Sequence, residues 1–141
     1  ILSMTVSSNS YALEKAYLLG NDVENVIPRS GSNYTSTVID GATVSGSVTT
    51  NSSSAIANTV YTNPGGKRTA VAYVYYEDCD LYYRSSATSS STQSGGVQAT
   101  ATRTIIGAEV VGGQGIHSLA YKTYTWNDYT STGLIPAVIV N

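Results

Sequence analysis

The chain has 141 residues, the size of one domain that can bury a core without disulfides or metal ions. Only 11 % of the residues are charged, against roughly a quarter in an average soluble domain. The net charge of −2 supplies no basic field to hold a phosphate backbone, so nucleic acid is not an expected partner. We expect residues 1–141 to form a single domain.

The chain starts Ile1-Leu2-Ser3-Met4, without an initiator methionine. Either a leader has been removed, which implies export, or the start of the chain has been trimmed. A surface rich in Ser, Thr, Gly, Asn and Tyr agrees with an extracellular location, so we expect a secreted or cell-surface protein. The longest apolar stretch, residues 134–140, is interrupted by Pro136 and is too short to span a bilayer.

In chain order, β-branched and aromatic residues recur with a period of two, which predicts strands. The exception is residues 11–19, where Ser10 as N-cap and Gly20 after the last turn predict one short helix. The candidate strands are residues 2–7, 34–40, 42–50, 55–62, 69–76, 81–85, 97–106, 109–111, 116–126 and 134–140. Turn residues separate them, at 40–41, 63–66, 95–96, 112–115 and 132–133.

This pattern predicts an all-β fold, an antiparallel two-sheet sandwich of the Ig-like or jelly-roll-like kind. Both faces of residues 69–76 are at least half apolar, which predicts a central strand covered on both sides, or with one side covered by a partner. Residues 97–106 alternate between apolar and polar side chains, which predicts one face in water. The polar residues 88–96 predict a mobile loop.

Both ends of the chain are apolar and would not remain in water. Either each end pairs within its own sheet, or one end completes the sheet of a neighbour, with residues 1–7 as the candidate exchanged strand. Exchange from head to tail builds filaments, because it does not close on itself. The candidate residues for self-association are Ile1, Leu2, Met4, Val6, Leu134, Ile135, Val138, Ile139 and Val140.

Catalytic residues are hard to assemble from this sequence. The one histidine, His117, would need an acid such as Asp128 and a serine for a Ser–His–Asp mechanism. No G-x-S-x-G motif selects that serine, so we interpret His117 as a hydrogen-bonded structural residue and expect no enzyme and no cofactor.

One histidine and one cysteine are too few for a closed zinc site. We expect Cys79, the only cysteine, to be a buried free thiol.

Glu77, Asp78 and Asp80 form the densest acidic cluster. They are weak calcium candidates, because strand alternation separates Glu77 from the two aspartates and calcium needs six or more oxygen ligands. We therefore expect no metal site and favour a solvated hairpin tip. Two N-x-S/T sequons make Asn33 and Asn51 candidate glycosylation sites in an organism that glycosylates.

Twelve tyrosines, one tryptophan and no phenylalanine favour half-exposed sheet faces and interfaces. Some of these rings either form a stacking platform for a glycan or stiffen the sandwich as cross-strand pairs. The candidate platform residues are Tyr75, Tyr82, Tyr121, Tyr124 and Trp126.

The sequence thus predicts a non-enzymatic extracellular structural protein. Its expected partner is another copy of the chain, in a cell-surface assembly or a filament built by exchange of a terminal strand. The alternative is a lectin-type β-sandwich that binds glycans on a platform of tyrosine and tryptophan side chains.

Overall fold

The structure is a computed structural model that describes residues 4–6 and 32–140. Its strands are β1 (Met4–Val6), β2 (Tyr34–Ile39), β3 (Ala42–Thr50), β4 (Ser54–Tyr61), β5 (Lys67–Asp78), β6 (Leu81–Ser91), β7 (Gly95–Thr102), β8 (Glu109–Tyr121), β9 (Tyr124–Gly133) and β10 (Val138–Val140). In these two ranges no helix occurs. The helix predicted at residues 11–19 lies outside the described residues, as do Ile1 and Leu2.

Two antiparallel four-stranded sheets confirm the predicted all-β sandwich. The first sheet has the strand order β2-β3-β4-β7, and the second has the order β6-β5-β8-β9. β1 and β10 pair antiparallel in a separate two-stranded sheet. In the part of the chain that is described, no helix is long and apolar enough to cross a membrane.

Strand alternation places small apolar side chains between the two sheets. Ala55 and Ala57 of β4 pack against Ala70 and Ala72 of β5, and all four are fully buried. Such short side chains allow the sheets to approach closely. A second apolar cluster at one end of the sandwich is centred on Tyr61 of β4.

The two strands with the clearest sequence patterns lie where predicted, although the strand predicted at residues 97–106 ends at Thr102 and the outer face of β5 is only half-buried at residues 69–73. β5 is central, between β6 and β8, and its inner side chains from Arg68 to Val74 are all buried. β7 alternates strictly between buried and exposed residues from Gly96 to Thr102. A local pattern of period two was sufficient at both places because each strand keeps a regular pleat.

The glycine-rich residues 112–115 do not separate two strands, contrary to the sequence prediction. β8 runs through them from Glu109 to Tyr121. These glycines serve close packing: a Cβ on Gly113 would lie 2.6 Å from Thr50 Cγ2. The chain turns instead at residues 122–123, which divides the predicted strand 116–126 into β8 and β9.

The loop predicted at residues 88–96 is also wrong. β6 continues to Ser91 and β7 begins at Gly95, so only residues 92–94 connect them. Ser91 pairs with Arg68 of β5, and Gly95 pairs with Tyr61 of β4. Backbone hydrogen bonds to these neighbours hold the polar segment in strands, although its composition resembles that of a flexible linker.

Candidate functional site

The C-terminal residues 134–140, which we call the C-terminal strap, lie against the outer face of the second sheet. The strap begins after Gly133, whose φ of 74° lies in the left-handed region. Leu134 then donates its backbone N–H to the carbonyl oxygen of Val111 at 2.8 Å. This bond places the strap directly over the backbone of Gly112 on β8.

Apolar side chains anchor the strap to the sheet. Ile135 and Ile139 are fully buried and pack against Tyr75 of β5. Val138 packs against Tyr82 of β6. Burial of each isoleucine side chain contributes about 2 kcal/mol. The strap is therefore an integral part of this domain's packing.

β1 has a much smaller attachment. It pairs with β10 in the register Met4 to Val140, Thr5 to Ile139 and Val6 to Val138. Among the described strands, β1 contacts β10 alone. Residues 4–6 and 138–140 therefore pair with each other within the chain, outside both four-stranded sheets. Of the residues predicted to mediate self-association, Met4, Val6, Val138, Ile139 and Val140 lie in this strand pair, and Leu134 and Ile135 lie in the strap.

The five predicted platform residues do not form one surface. Tyr75 and Tyr82 are only 1 % and 4 % exposed, because the strap covers them. Tyr75 donates its hydroxyl to Gln114 Oε1 at 3.1 Å. A sugar ring cannot stack on either tyrosine while the strap is in place.

The other three platform residues lie together at the far end of the second sheet. Tyr121 pairs with Tyr124 in the register, and Trp126 pairs with Leu119. Tyr121 and Trp126 are half-buried against the cluster around Tyr61, while Tyr124 is 44 % exposed. The rings of Tyr61 and Tyr121 meet edge to face at 5.1 Å. These contacts fit the structural alternative, in which the aromatic residues stiffen the sandwich.

His117 is buried between the sheets. Its Nδ1 lies 2.8 Å from Thr59 Oγ1, and its Nε2 lies 2.7 Å from Thr130 Oγ1. Asp128 Oδ2 instead accepts a hydrogen bond from the hydroxyl of Thr35. Both ring nitrogens thus form hydrogen bonds with threonine hydroxyls, and no Ser–His–Asp arrangement forms around this histidine. Burial lowers the pKa of His117 to about 4, and the nearby Asp128 opposes this shift in part.

The acidic cluster lies at the hairpin between β5 and β6. Cys79 and Asp80 form the turn, with φ values of 52° and 66°. Within residues 4–6 and 32–140, no group of three or more His, Cys, Asp or Glu side chains could hold a metal ion. Cys79 is exposed, so the prediction of a buried thiol is wrong. The residue lies at the tip of a tight turn, where side chains point away from the sheet.

Asn33 lies immediately before β2, and Asn51 lies in the turn between β3 and β4. Asn33 and Asn51 are exposed. Asn51 Oδ1 accepts backbone hydrogen bonds from Ser53 at 2.9 Å and Ser54 at 2.8 Å, which closes the turn between β3 and β4. This bonding gives Asn51 a structural role in addition to its place in a sequon.

Two features of the strap site escaped the sequence analysis. Gly112 supports the strap crossing, but its Gly-Gly context resembles a turn. Tyr75 and Tyr82 contact the strap, but their position in a tyrosine-rich segment resembles an exposed platform. The apolar character of residues 134–140 was the available signal, because it indicated that these residues pack against another apolar surface. Comparisons with protein-family models, curated proteins and solved structures gave no match, so the geometry alone carries the functional argument.

Proposed function

We propose that the protein is a non-enzymatic, extracellular structural subunit that self-associates by exchange of its N-terminal strand. In the assembly, β1 of one chain pairs with β10 of a neighbouring chain. The observation that carries this proposal is the isolation of β1, which contacts β10 and no other described strand. A strand held at a single edge can be replaced by the same strand from another copy with little loss of packing.

The two ends of the chain take different roles in this proposal. The strap is the acceptor, because Ile135 and Ile139 are buried in its own domain and the crossing over Gly112 is tight. β1 is the donor, because β10 is the one described strand that it contacts. The donor and the acceptor therefore belong to opposite ends of the chain, as a head-to-tail assembly requires.

The number of residues between β1 and the main domain permits exchange. Residues 7–31 separate β1 from the first described residue of the main domain, Ser32. A chain of this length spans up to roughly 90 Å when extended, at about 3.5 Å per residue. That reach is the upper limit on how far from its own domain β1 could pair with a neighbouring chain. Exchange between two chains in both directions closes a dimer, whereas one-way exchange continues as a filament.

The test compares three forms of the protein by size-exclusion chromatography with light scattering and by negative-stain microscopy. These are the full chain, a chain lacking residues 1–7, and the full chain with Thr5→Pro, which removes a backbone donor from β1. Val38→Thr, at a side chain 65 % exposed on β2, serves as a control away from the strap. We expect oligomers from the full chain and the control, and monomers from the other two.

Two results would contradict the proposal. Oligomers that persist after removal of residues 1–7 would place the contact elsewhere on the molecule. A full chain that stays monomeric at every concentration would remove self-association altogether. Addition of a synthetic peptide with the sequence of residues 1–7 to the shortened chain tests the acceptor directly, because binding is expected in trans if β10 is open.

A second candidate function is glycan binding at Tyr121, Tyr124 and Trp126. The partial exposure of these three rings at one end of the second sheet favours it. The test is a glycan screen with Trp126→Ala, and Tyr129→Ala is the control because Tyr129 is an exposed ring outside this group. Loss of binding in Trp126→Ala alone supports the site, and the absence of binding by the unmodified chain removes the candidate.

A further inference from the structure

His117 connects the two sheets through hydrogen bonds inside the core. It lies on β8 of the second sheet and has no exposed surface. Its Nδ1 meets Thr59 Oγ1 of β4 in the first sheet, at 2.8 Å. Its Nε2 meets Thr130 Oγ1 of β9, at 2.7 Å. The imidazole ring therefore bridges the first sheet to two strands of the second.

Glycines from both sheets make room for this ring. A Cβ on Gly46 of β3 would lie 2.4 Å from Cγ and Cδ2 of His117. A Cβ on Gly115 of β8 would lie 2.8 Å from its Nε2 and 2.6 Å from Thr130 Oγ1. Contacts this short exclude any larger residue at either position without displacement of the ring. The space between the sheets at this point therefore holds the imidazole ring and the Thr130 hydroxyl with no room for a further side-chain atom.

The hydrogen bonds fix the position of the ring proton. Thr59 donates its hydroxyl to the carbonyl oxygen of Thr69 at 2.9 Å, and a carbonyl oxygen can only accept. The single hydroxyl proton of Thr59 is then used, so Thr59 Oγ1 must accept from Nδ1–H of His117. A neutral imidazole carries one proton, which leaves Nε2 as the acceptor for the hydroxyl of Thr130.

We propose that this chain, from Thr130 through His117 and Thr59 to the carbonyl oxygen of Thr69, is an acid-sensitive latch between the two sheets. The latch is closed when His117 is neutral with its proton on Nδ1. A second proton on Nε2 opens it, because Thr130 can no longer donate to that nitrogen and a positive charge enters the buried interior. Acid conditions then loosen the contact between the sheets.

The surroundings of His117 contain little to stabilise such a charge. The residues that face it from β3, β4 and β5 are Gly46, Thr59 and Ala70, and none of them is ionisable. On β9, Asp128 is the register partner of His117 and, among these neighbours, is the one ionisable group that faces it.

Asp128 gives limited help because other groups already use its carboxylate. It accepts hydrogen bonds from the Thr35 hydroxyl and from the backbone N–H of Tyr129. Arg68, also on the inner face of β5, donates to the backbone carbonyls of residues 61, 63, 65, 66 and 95. A protonated His117 would therefore remain largely uncompensated.

The sign of the pH effect follows from the two pKa values. Burial lowers the pKa of His117 from 6.5 to about 4 in the folded protein. Between these values the unfolded chain binds a proton that the folded chain does not, so unfolding becomes more favourable as the pH falls. These values make the unfolding equilibrium constant about 30-fold larger at pH 5 than at pH 8 through this residue alone.

The first experiment determines the tautomer by nitrogen-15 NMR of the histidine side chain in the intact protein at pH 7. We expect a directly bonded proton on Nδ1 and none on Nε2. An acid titration of the same signals should show that Nε2 gains its proton only well below pH 5. A proton on Nε2 at pH 7, or titration near pH 6.5 without loss of structure, would overturn the proposal.

The second experiment measures the free energy of unfolding of the unmodified protein and of His117→Asn between pH 8 and pH 5. Asparagine keeps a donor near Thr59 but does not titrate, so carboxylate effects common to both proteins cancel in the comparison. The unmodified protein should show the additional increase in unfolding, of about 30-fold. Equal pH dependence in both would refute the latch. If His117→Asn does not fold, the NMR titration of the unmodified protein decides the question.

Discussion

Gly112 on β8 lies directly beneath Leu134 of the strap, so that a Cβ on Gly112 would come within 2.1 Å of the Leu134 carbonyl oxygen. The backbone atoms of Leu134 cannot rotate away as a flexible side chain would. Gly112 is thus the point at which the C-terminal strap packs on the second sheet. The strap includes β10, the strand that pairs with β1.

Gly112→Ala is expected to displace the strap and to lower the free energy of unfolding by about 2 kcal/mol, the usual cost of overpacking. Urea denaturation measures this loss. Gly96→Ala is the comparison variant, because its new Cβ would approach a side-chain methyl group of Val60 at 2.8 Å and backbone only at 3.3 Å, so its loss of stability should be smaller. An unchanged stability in Gly112→Ala would mean that the strap does not rest on β8 in solution.

Arg68 is a fully buried cation that holds two turns together. Its terminal nitrogens donate hydrogen bonds to the backbone carbonyl oxygens of Tyr61, Asn63, Gly65, Gly66 and Gly95. Arg68→Met leaves these carbonyls without their donor and should lower the free energy of unfolding by about 3 kcal/mol.

The control for Arg68 is Arg84→Met. Arg84 is exposed and lies over the ring of Tyr73 at 4.8 Å, so its loss should cost less than about 1 kcal/mol. Thermal unfolding of both variants checks the difference. Similar losses for the two would show that the carbonyl contacts of Arg68 contribute no more than a surface contact.

The hydroxyl of Tyr76 joins β5 to two other segments. It lies 2.8 Å from Ser85 Oγ of β6 and 2.9 Å from Thr104 Oγ1 after β7, and it also accepts from the backbone N–H of Thr104. Tyr76→Phe should lower the free energy of unfolding by about 1 kcal/mol, since the buried Tyr76 loses its hydroxyl bonds to half-buried Ser85 and exposed Thr104. Tyr129→Phe, at an exposed ring, should change it very little. An unchanged free energy of unfolding in Tyr76→Phe would show that water replaces the lost hydroxyl.

The exposed thiol of Cys79 should react in the folded protein. We expect a thiol-specific reagent to label it at a similar rate with and without denaturant. Cys79→Gly should retain the fold and gain up to about 1 kcal/mol of stability, because Cys79 has a φ of 52° that glycine adopts without strain. Labelling that requires denaturant would place the thiol in the interior.

Local sequence was sufficient for the fold class and for parts of the core. Period-two alternation identified the half-exposed strand β7, and two apolar faces identified the central strand β5, because both patterns depend only on the pleat of a single strand. Turn residues also located the hairpin at Asp40 and Gly41, where both φ values are positive.

Only the tertiary structure decided how glycine and tyrosine are used. Gly112 and Gly113 read as a turn in sequence, yet they lie inside β8 because residues far along the chain approach them closely. Tyr75 and Tyr82 read as a platform, yet the strap covers them. A local sequence pattern indicates which strand faces are apolar and where the backbone can turn. Whether a distant segment covers a face depends on the tertiary path of the chain, which no local pattern contains.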